Sequence, residues 1–239
     1  MHGNSADMMI SLSVIVPTLN EAGGIVAHLW ALQPLRRRGC EVIVVDGDSV
    51  DDTSALAAPL ADRVISVRRG RASQMNAGAS RARGNVLLFL HADTRLPESA
   101  DLLLANALAD EGIVWGRFDV TIGGAHPLLP VVAWFMNRRS RLTGIATGDQ
   151  AVFMRREAFA TVGGFPHLPL MEDIALSRSL KRLRRPLCLS ERVTTSGRRW
   201  EQRGVLRTVV LMWRLRARYW LGADPGRLAR AYAASSPER

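Results

Sequence analysis

A histidine and an aspartate two positions apart, His91-Ala92-Asp93, directly follow a hydrophobic run, NVLLFL. Leaving one turn, the two side chains can converge on a shared point. Magnesium and manganese take hard oxygen ligands, manganese also accepts imidazole, and substrate phosphates commonly complete the shell. A turn cap at Asp93 beside a packed His91 is the plainer reading of the same residues. Asp46 and Asp48, in VVDGDSVDDT, form a second acidic group. Gly47 lets backbone approach a ligand there, and the carboxylates can accept hydrogen bonds from a base edge or ribose hydroxyls. For Asp51 and Asp52, helix capping is the expected role.

Arg68-Arg69-Gly70-Arg71 precedes a helix carrying Gln74, Asn76 and Gly78. The Arg71 guanidinium matches a diphosphate with two parallel hydrogen bonds, while Arg68 and Arg69 read as solvated charge. Glu172-Asp173 opens a helix behind the flexible Gly163-Gly164-Phe165-Pro166. A carboxylate at a helix N-terminus stays ionised; it can act as a general base when its proton donor is held close, or simply cap the helix. Gly148-Asp149-Gln150 is a further polar turn. Arg198-Arg199-Trp200 sets adjacent cations before an aromatic ring, able to neutralise a leaving diphosphate and pack beside it, or to stand as a surface arginine pair.

The elements that must position these groups follow from periodicity. Ser11–Pro17 reads as a buried strand delivering Thr18, Asn20 and Glu21 to its end, and Ile25, Leu29 and Leu32 mark the helix after it. Glu41–Asp46, Val64–Val67 and Asn85–Leu90 are the next strands, with helices opening at Asp51-Asp52-Thr53 and over Ala72–Arg83. Such alternation means right-handed βαβ units, a mainly parallel sheet, and ligands beyond the carboxyl ends of its strands. The acidic clusters of the first half all fall at such ends. Ile113–Ile122 and Ala151–Met154 are expected strands, Leu128–Arg141 and Glu172–Arg184 expected helices. From Val205 onward, Leu206, Val209, Val210, Trp213, Ala217, Trp220 and Leu221 form one helical stripe with Arg207, Arg214 and Arg218 off it. Ala233–Arg239 should fray.

With 239 residues, 47% hydrophobic, the chain can fill a core for one large domain, or for a domain with a helical appendage. Its 32 Lys and Arg against 22 Asp and Glu leave +10, which favours anionic partners. The basic clusters lack interleaved aromatics, so nucleic acid is not an expected partner. Cys40 and Cys188 have no metal or redox spacing, and a reducing cytoplasm suits them. The first residues lack a basic n-region and cleavage site, and no apolar stretch is long enough to cross a membrane. P-loop, dinucleotide and nucleophile-elbow motifs are absent.

Taken in order, VIVPTLNE, EVIVVDGDSVDDT, GRASQMNAGASRARGNVLLFLHADT, GDQAVFMRREAFATVGGFP, LMEDIALSRSLKR and SGRRW resemble the family 2 glycosyltransferases of the GT-A fold, from about Ser11 to Trp200. Within that family the sequence is similar to small soluble bacterial members, some named for arsenosugar biosynthesis. The resemblance implies a Rossmann-like sheet flanked by helices over residues 10–200, followed by a basic amphipathic helical tail over 201–239. It also implies an inverting enzyme that uses a nucleotide-diphosphate sugar and Mg2+ or Mn2+. Pro17, Thr18, Asn20, Glu21 and Asp46 would then surround the nucleotide, with Asp46 near the base and Asp48, Arg71 and Arg199 near nucleotide and diphosphate. Asp93 matches the last position of the family's D-x-D and would hold the cation, with His91 in the place of the first aspartate. Glu172 and Asp173 match the catalytic E-D pair, Asp173 being the base, and Gly148, Asp149, Gln150 and Trp200 would lie on the acceptor side. Ser196 stands where processive synthases carry glutamine in Q-x-x-R-W, so transfer of one sugar is expected. A nucleotidyltransferase making an activated sugar on a similar sheet, or a non-catalytic basic module binding nucleic acid or membrane through the C-terminal helix, are the competing classes. In either enzyme class the tail could touch the inner face of the membrane peripherally.

Overall fold

In the computed structural model, which describes residues 10–234, β1 (Leu12–Thr18) lies between the partners that its Val and Ile content calls for. Helix α1 (Ile25–Arg37) returns the chain to β2 (Glu41–Asp46), which pairs in parallel with β1, Thr18 facing Asp46 at the carboxyl end. The short α2 (Thr53–Ala57) leads to β3 (Arg63–Ser66), and α3 (Arg71–Arg81) to β4 (Val86–Phe89), so that β3, β2, β1 and β4 are parallel neighbours. Both faces are covered, which is why these strands read as continuous apolar runs. Alternate residues of β1 serve opposite layers: Val14 and Val16 meet Leu29 and Leu32 of α1, while Ile15 meets Met75 and Ala79 of α3. A Cβ at Gly78 would fall 2.5 Å from the Ile15 side chain, so glycine sets the close approach of α3 to the sheet.

Beyond β4 the sheet departs from simple alternation. β5 (Thr94–Arg95), α4 (Ala100–Leu108) and β6 (Trp115–Gly123) come first, then α5 (Leu129–Thr143) and β7 (Phe153–Arg155). β7 inserts antiparallel between β4 and β6. After α6 (Arg156–Thr161) and α7 (Glu172–Leu183), β8 (Leu187–Ser196) runs parallel to β6 and antiparallel to β5. The mainly parallel sheet expected from sequence is thus a parallel half joined to a mixed half. β5, β8, α4 and α6 are elements that the periodicity does not predict. β8 shifts register against β6 between Phe118 and Asp119, and its middle, Ser190–Arg192, is exposed and polar.

Helices α8 (Arg198–Arg203), α9 (Val205–Trp220) and α10 (Pro225–Ala234) end the described chain. α8 straddles the boundary expected at residue 200. Leu215 and Leu228 pack with Ile145, Met171 and Ile174, which ties α9 and α10 to the body. The apolar stripe foreseen on α9 is not the face that packs. Leu206, Val210, Trp213 and Leu221 are exposed, Trp213 by 64%, and inward-facing Leu211, Met212, Leu215 and Tyr219 recur at the same spacing on the other side. Ala233 and Ala234 close α10, and the remainder of the segment expected to fray lies outside the described residues. Among the described residues no helix is long and apolar enough to cross a membrane.

One buried titratable group makes this fold sensitive to acid. His28 on α1 is 5% exposed and its Nε2 has no hydrogen-bond partner. Burial, helped by the Arg95 charge, lowers its pKa to about 4. The unfolded chain takes up a proton near the ordinary value of 6.5 that the folded chain refuses, so stability falls as pH drops from about 6.5 to about 4. The full loss is on the order of 3 kcal/mol. His28→Leu should flatten that slope in urea unfolding measured between pH 7 and pH 4; a slope equal to the wild type's would reject the assignment.

Candidate active site

Among the described residues, those other than glycine with positive φ are Asn20 (53°), Asp48 (60°), Ala151 (46°) and Met171 (71°). Each lies in a loop carrying groups singled out above. Asn and Asp tolerate this region; for Ala and Met it costs about 1 kcal/mol or more and persists only where the surroundings enforce it. Strain of this kind marks the loops as tightly built.

At the ends of β1 and β2, Thr18 and Asp46 are buried. Asp46 accepts from the backbone N–H and the hydroxyl of Ser49, closing a turn, and Thr18 reaches it at 3.4 Å. Asn20 clasps the same turn, its N–H on Ser49 and its side-chain oxygen accepting from Val50. Asp51 braces Ala22 and Thr53 as a turn residue, Asp52 at the N-cap of α2 makes no side-chain capping bond, and Thr53 accepts from the Glu21 N–H. Gln74 of α3 donates to the carbonyls of Thr18 and Val45, fixing both strand ends to the helix; sequence reading had given it no role. Pro17 is half-buried, and Asp48 is exposed at the loop crest.

β4 delivers His91 and Asp93. Asp93 is exposed, its carbonyl accepts from Ser196 N–H, and Thr94 beside it shares a 3.0 Å hydrogen bond with Thr195. The unforeseen β8 therefore brings the SGRRW segment against the Asp93 turn. His91 turns toward Asp149, Nδ1 to Oδ1 3.3 Å, and its ring lies so close to Gly148 that a Cβ there would fall 2.3 Å from Nε2. Although burial opposes it, the His91 hydrogen bond and charge, with Arg199 and Arg71 nearby, hold the Asp149 carboxyl down at about 2. One residue back, Gly148 N–H donates to Asp173 Oδ2 at 3.1 Å; Oδ1 accepts from Ile174 N–H at 2.7 Å. Arg71 meets Glu172 at 3.4 Å across a small cavity also lined by His91, Gly148 and Asp173. Behind it, Asn76 holds the Gly163-Gly164-Phe165 segment by two hydrogen bonds to the Phe165 backbone.

Two expected contacts are placed differently, and Arg199 is tethered beside the site. Gln150 is fully buried, its amide on Thr147 and Asn137, so it braces the turn and does not face an acceptor. Trp200 packs with Leu128, Val132 and Val205 in an apolar cluster under α5. Arg199 donates to the Tyr232 hydroxyl of α10 at 2.8 Å. Among the described residues no three His, Cys, Asp or Glu side chains converge as a metal site. Asp93 fits a divalent cation that takes most of its shell from phosphate oxygens and water, whereas His91 is engaged with Asp149.

The sequence model described as Glycosyl transferase family 2 matches residues 13–163, which span β1 to the end of α6 and hold the Asp46, Asp93 and Asp149 turns. This chain belongs to glycosyltransferase family 2. The match sets aside the nucleotidyltransferase class. A PGL/p-HBAD biosynthesis glycosyltransferase of Mycobacterium bovis is 34% identical over 174 residues, covering 64% of this family 2 chain and 62% of the relative. The chain thus spans less than two thirds of the length of the curated relatives it matches first. In fold it is similar to a mannosyltransferase of Pyrobaculum calidifontis solved with GDP-Man and Mn2+, TM-score 0.61 at 23% identity, covering 97% of this chain and 66% of that one. It is also similar to the glucosyl-3-phosphoglycerate synthase of Mycobacterium tuberculosis solved with Mn2+ and UDP-glucose, TM-score 0.58 at 20% identity, covering 78% and 70%. These likenesses show the GT-A fold.

Glu172 offers a test of the site's electrostatics. Burial and then the Asp173 charge raise its carboxyl above the ordinary range, against the pull of Arg71. A raised folded pKa means that ionising Glu172 costs stability as pH climbs from its unfolded value through the folded one. Glu172→Gln should therefore gain on the wild type in melting temperature between pH 4 and pH 8. A gap that is constant, or that moves the other way, would contradict this balance.

Proposed function

We propose that this chain transfers one sugar, with inversion, from a nucleotide-diphosphate sugar to an acceptor hydroxyl. The observation that carries the reading is the Thr147–Gln150 turn, which holds Asp173 through Gly148 and His91 through Asp149, and so ties the two side chains to one turn. Asp173 takes the proton of the acceptor hydroxyl as its oxygen bonds to the anomeric carbon and the bond to the diphosphate breaks. Its two backbone hydrogen bonds fix the carboxylate's direction; Glu172, adjacent and bound to Arg71, shapes its field. Arg71 and Arg199 stand to offset charge on the departing diphosphate, and Asp93 to hold Mg2+ or Mn2+, which supplies further charge stabilisation. Thr18, Asn20, Glu21, Asp46 and Asp48 form the nucleotide side, Asp46 acting through the turn it closes. The nucleotide sugars and Mn2+ bound by the mannosyltransferase and synthase neighbours support a donor and metal of these kinds.

Turnover of a nucleotide sugar should require Mg2+ or Mn2+, and Asp93→Ala and Asp173→Asn should each lower it by at least about 100-fold. Asp173→Asn should still bind donor by calorimetry, since a base is not needed for binding. Activity surviving both substitutions would overturn the assignment.

The exposed face of α9 favours a second reading, peripheral contact with a membrane. Leu206, Val210, Trp213 and Leu221 project outward, Arg207, Arg214 and Arg218 flank them, and a groove of about 650 Å3 between α9 and α10 has Leu206, Arg207, Val210 and Arg214 on its walls. An apolar arc bordered by cations suits an anionic inner-leaflet surface. The full chain should float with phosphatidylglycerol vesicles and lose most of that binding on Trp213→Ser with Leu206→Ser; flotation unaffected by the pair would refute the contact.

A further inference from the structure

Arg139 of α5 and Arg216 of α9 bring two guanidinium groups that the donor chemistry does not use. Arg139 sends Nη1 to the Ile145 carbonyl at 3.3 Å, but its Nε and Nη2 are buried without a hydrogen-bond partner. A buried donor left unpaired costs about 1–3 kcal/mol, more on a charged group. Arg216 follows Leu215, which shares an apolar cluster with Ile145, and its half-buried side chain lies near enough to Arg139 for the two charges to act on each other. Burial and the Arg216 charge lower Arg139 to about 10, and burial lowers Arg216; both remain cations at neutral pH.

The pair sits next to the proposed base. Ile145, whose carbonyl holds Arg139, and Gly148, whose N–H holds Asp173, are three residues apart on one segment, a span of at most about 10 Å. Arg139 and Arg216 both feel the Asp173 charge, yet neither makes a hydrogen bond to it. The idle donors of Arg139 and the neighbouring Arg216 cation present the charge and the parallel N–H groups that a phosphate dianion matches. They come from α5 and α9, whereas Arg71 and Arg199 come from α3 and α8.

We propose that Arg139 and Arg216 form an acceptor subsite for a phosphate group, so that the acceptor is a phosphorylated molecule presenting its hydroxyl to Asp173. The proposal rests on the reading of Asp173 as the base. It makes the acceptor's own anion part of what completes the site.

The test titrates inorganic phosphate calorimetrically into the full chain, with and without saturating UDP or GDP and Mn2+. Saturable phosphate binding should persist with nucleotide present and weaken about 10-fold or more in Arg139→Met and in Arg216→Met, less in Arg139→Lys, while nucleotide affinity stays within about twofold. Vesicles carrying phosphatidic acid, compared with phosphatidylcholine alone, separate the two sources of the group. Arginine-dependent sedimentation assigns a lipid-borne phosphate; phosphate binding without it assigns a soluble one. Absent phosphate binding, or binding equal in wild type and variants, overturns the proposal, as does loss of nucleotide affinity in the variants, which would give the pair to the donor. If nucleotide fails to bind the wild type while arginine-dependent phosphate binding remains, the donor reading falls and the anion site stands. Circular dichroism melts check folding, and Arg216→Gln, on the half-buried side of α9, carries the comparison should Arg139→Met unfold.

Discussion

The hydrogen bond from Gly148 N–H to the Asp173 carboxylate depends on a short turn that most of the site leans on. The turn is held from below by Gln150, which is fully buried and reaches Asn137 of α5; Asn137 in turn accepts from and donates to the backbone of Val120 on β6. From the other side Asp149 faces His91 at the end of β4. A carboxylate gains direction only if its donors cannot drift, and here the donor's position is fixed through three elements that are far apart in sequence. The positive φ of Ala151 and Met171, on either side of this arrangement, is the backbone's contribution to the same constraint.

Beneath it lies a polar network of unusual depth. Arg117 of β6 is fully buried, pairs with Asp119, and donates to the Ser140 hydroxyl and the Asn137 carbonyl. Asp119 also meets Arg141 near the surface. A buried cation is costly unless its N–H groups are spent on partners, and two of the three partners of Arg117 lie along α5. The network thereby sets the rotation of α5, and with it the faces of Asn137 and Arg139.

The parallel half of the fold was legible because its physics is local. Strands covered on both faces read as Val and Ile runs, and acidic residues gathered past their ends point to the ligand edge even where some of them also close turns. Asp46 and Asp93 are read in that way, and Asp173 by resemblance to a family pattern. What stayed hidden depends on distant partners. β8 alternates poorly because its middle is solvent-exposed beside a register shift, so LCLSERVTTS gives no clean period. Gln150 and Trp200 have residue types that suit a ligand, and only packing reveals that they are spent inside. On α9 two apolar arcs share one helical period, so the spacing could not decide which arc meets the body, and the bulkier Trp-bearing arc is the one left exposed. Arg139 carried no signal at all, since an arginine in an apolar helix reads the same whether its donors are satisfied or idle.

The contact between Gly148 and the His91 ring has an evolutionary reading. The imidazole occupies the space a side chain at position 148 would need, so the two positions are a single choice distributed over two codons. A smaller acidic residue at position 91 would open that space, and a larger residue would become admissible at position 148. Substitutions at the two positions should therefore be found together across the family, and exchanging either alone between relatives would graft half of a fitted pair.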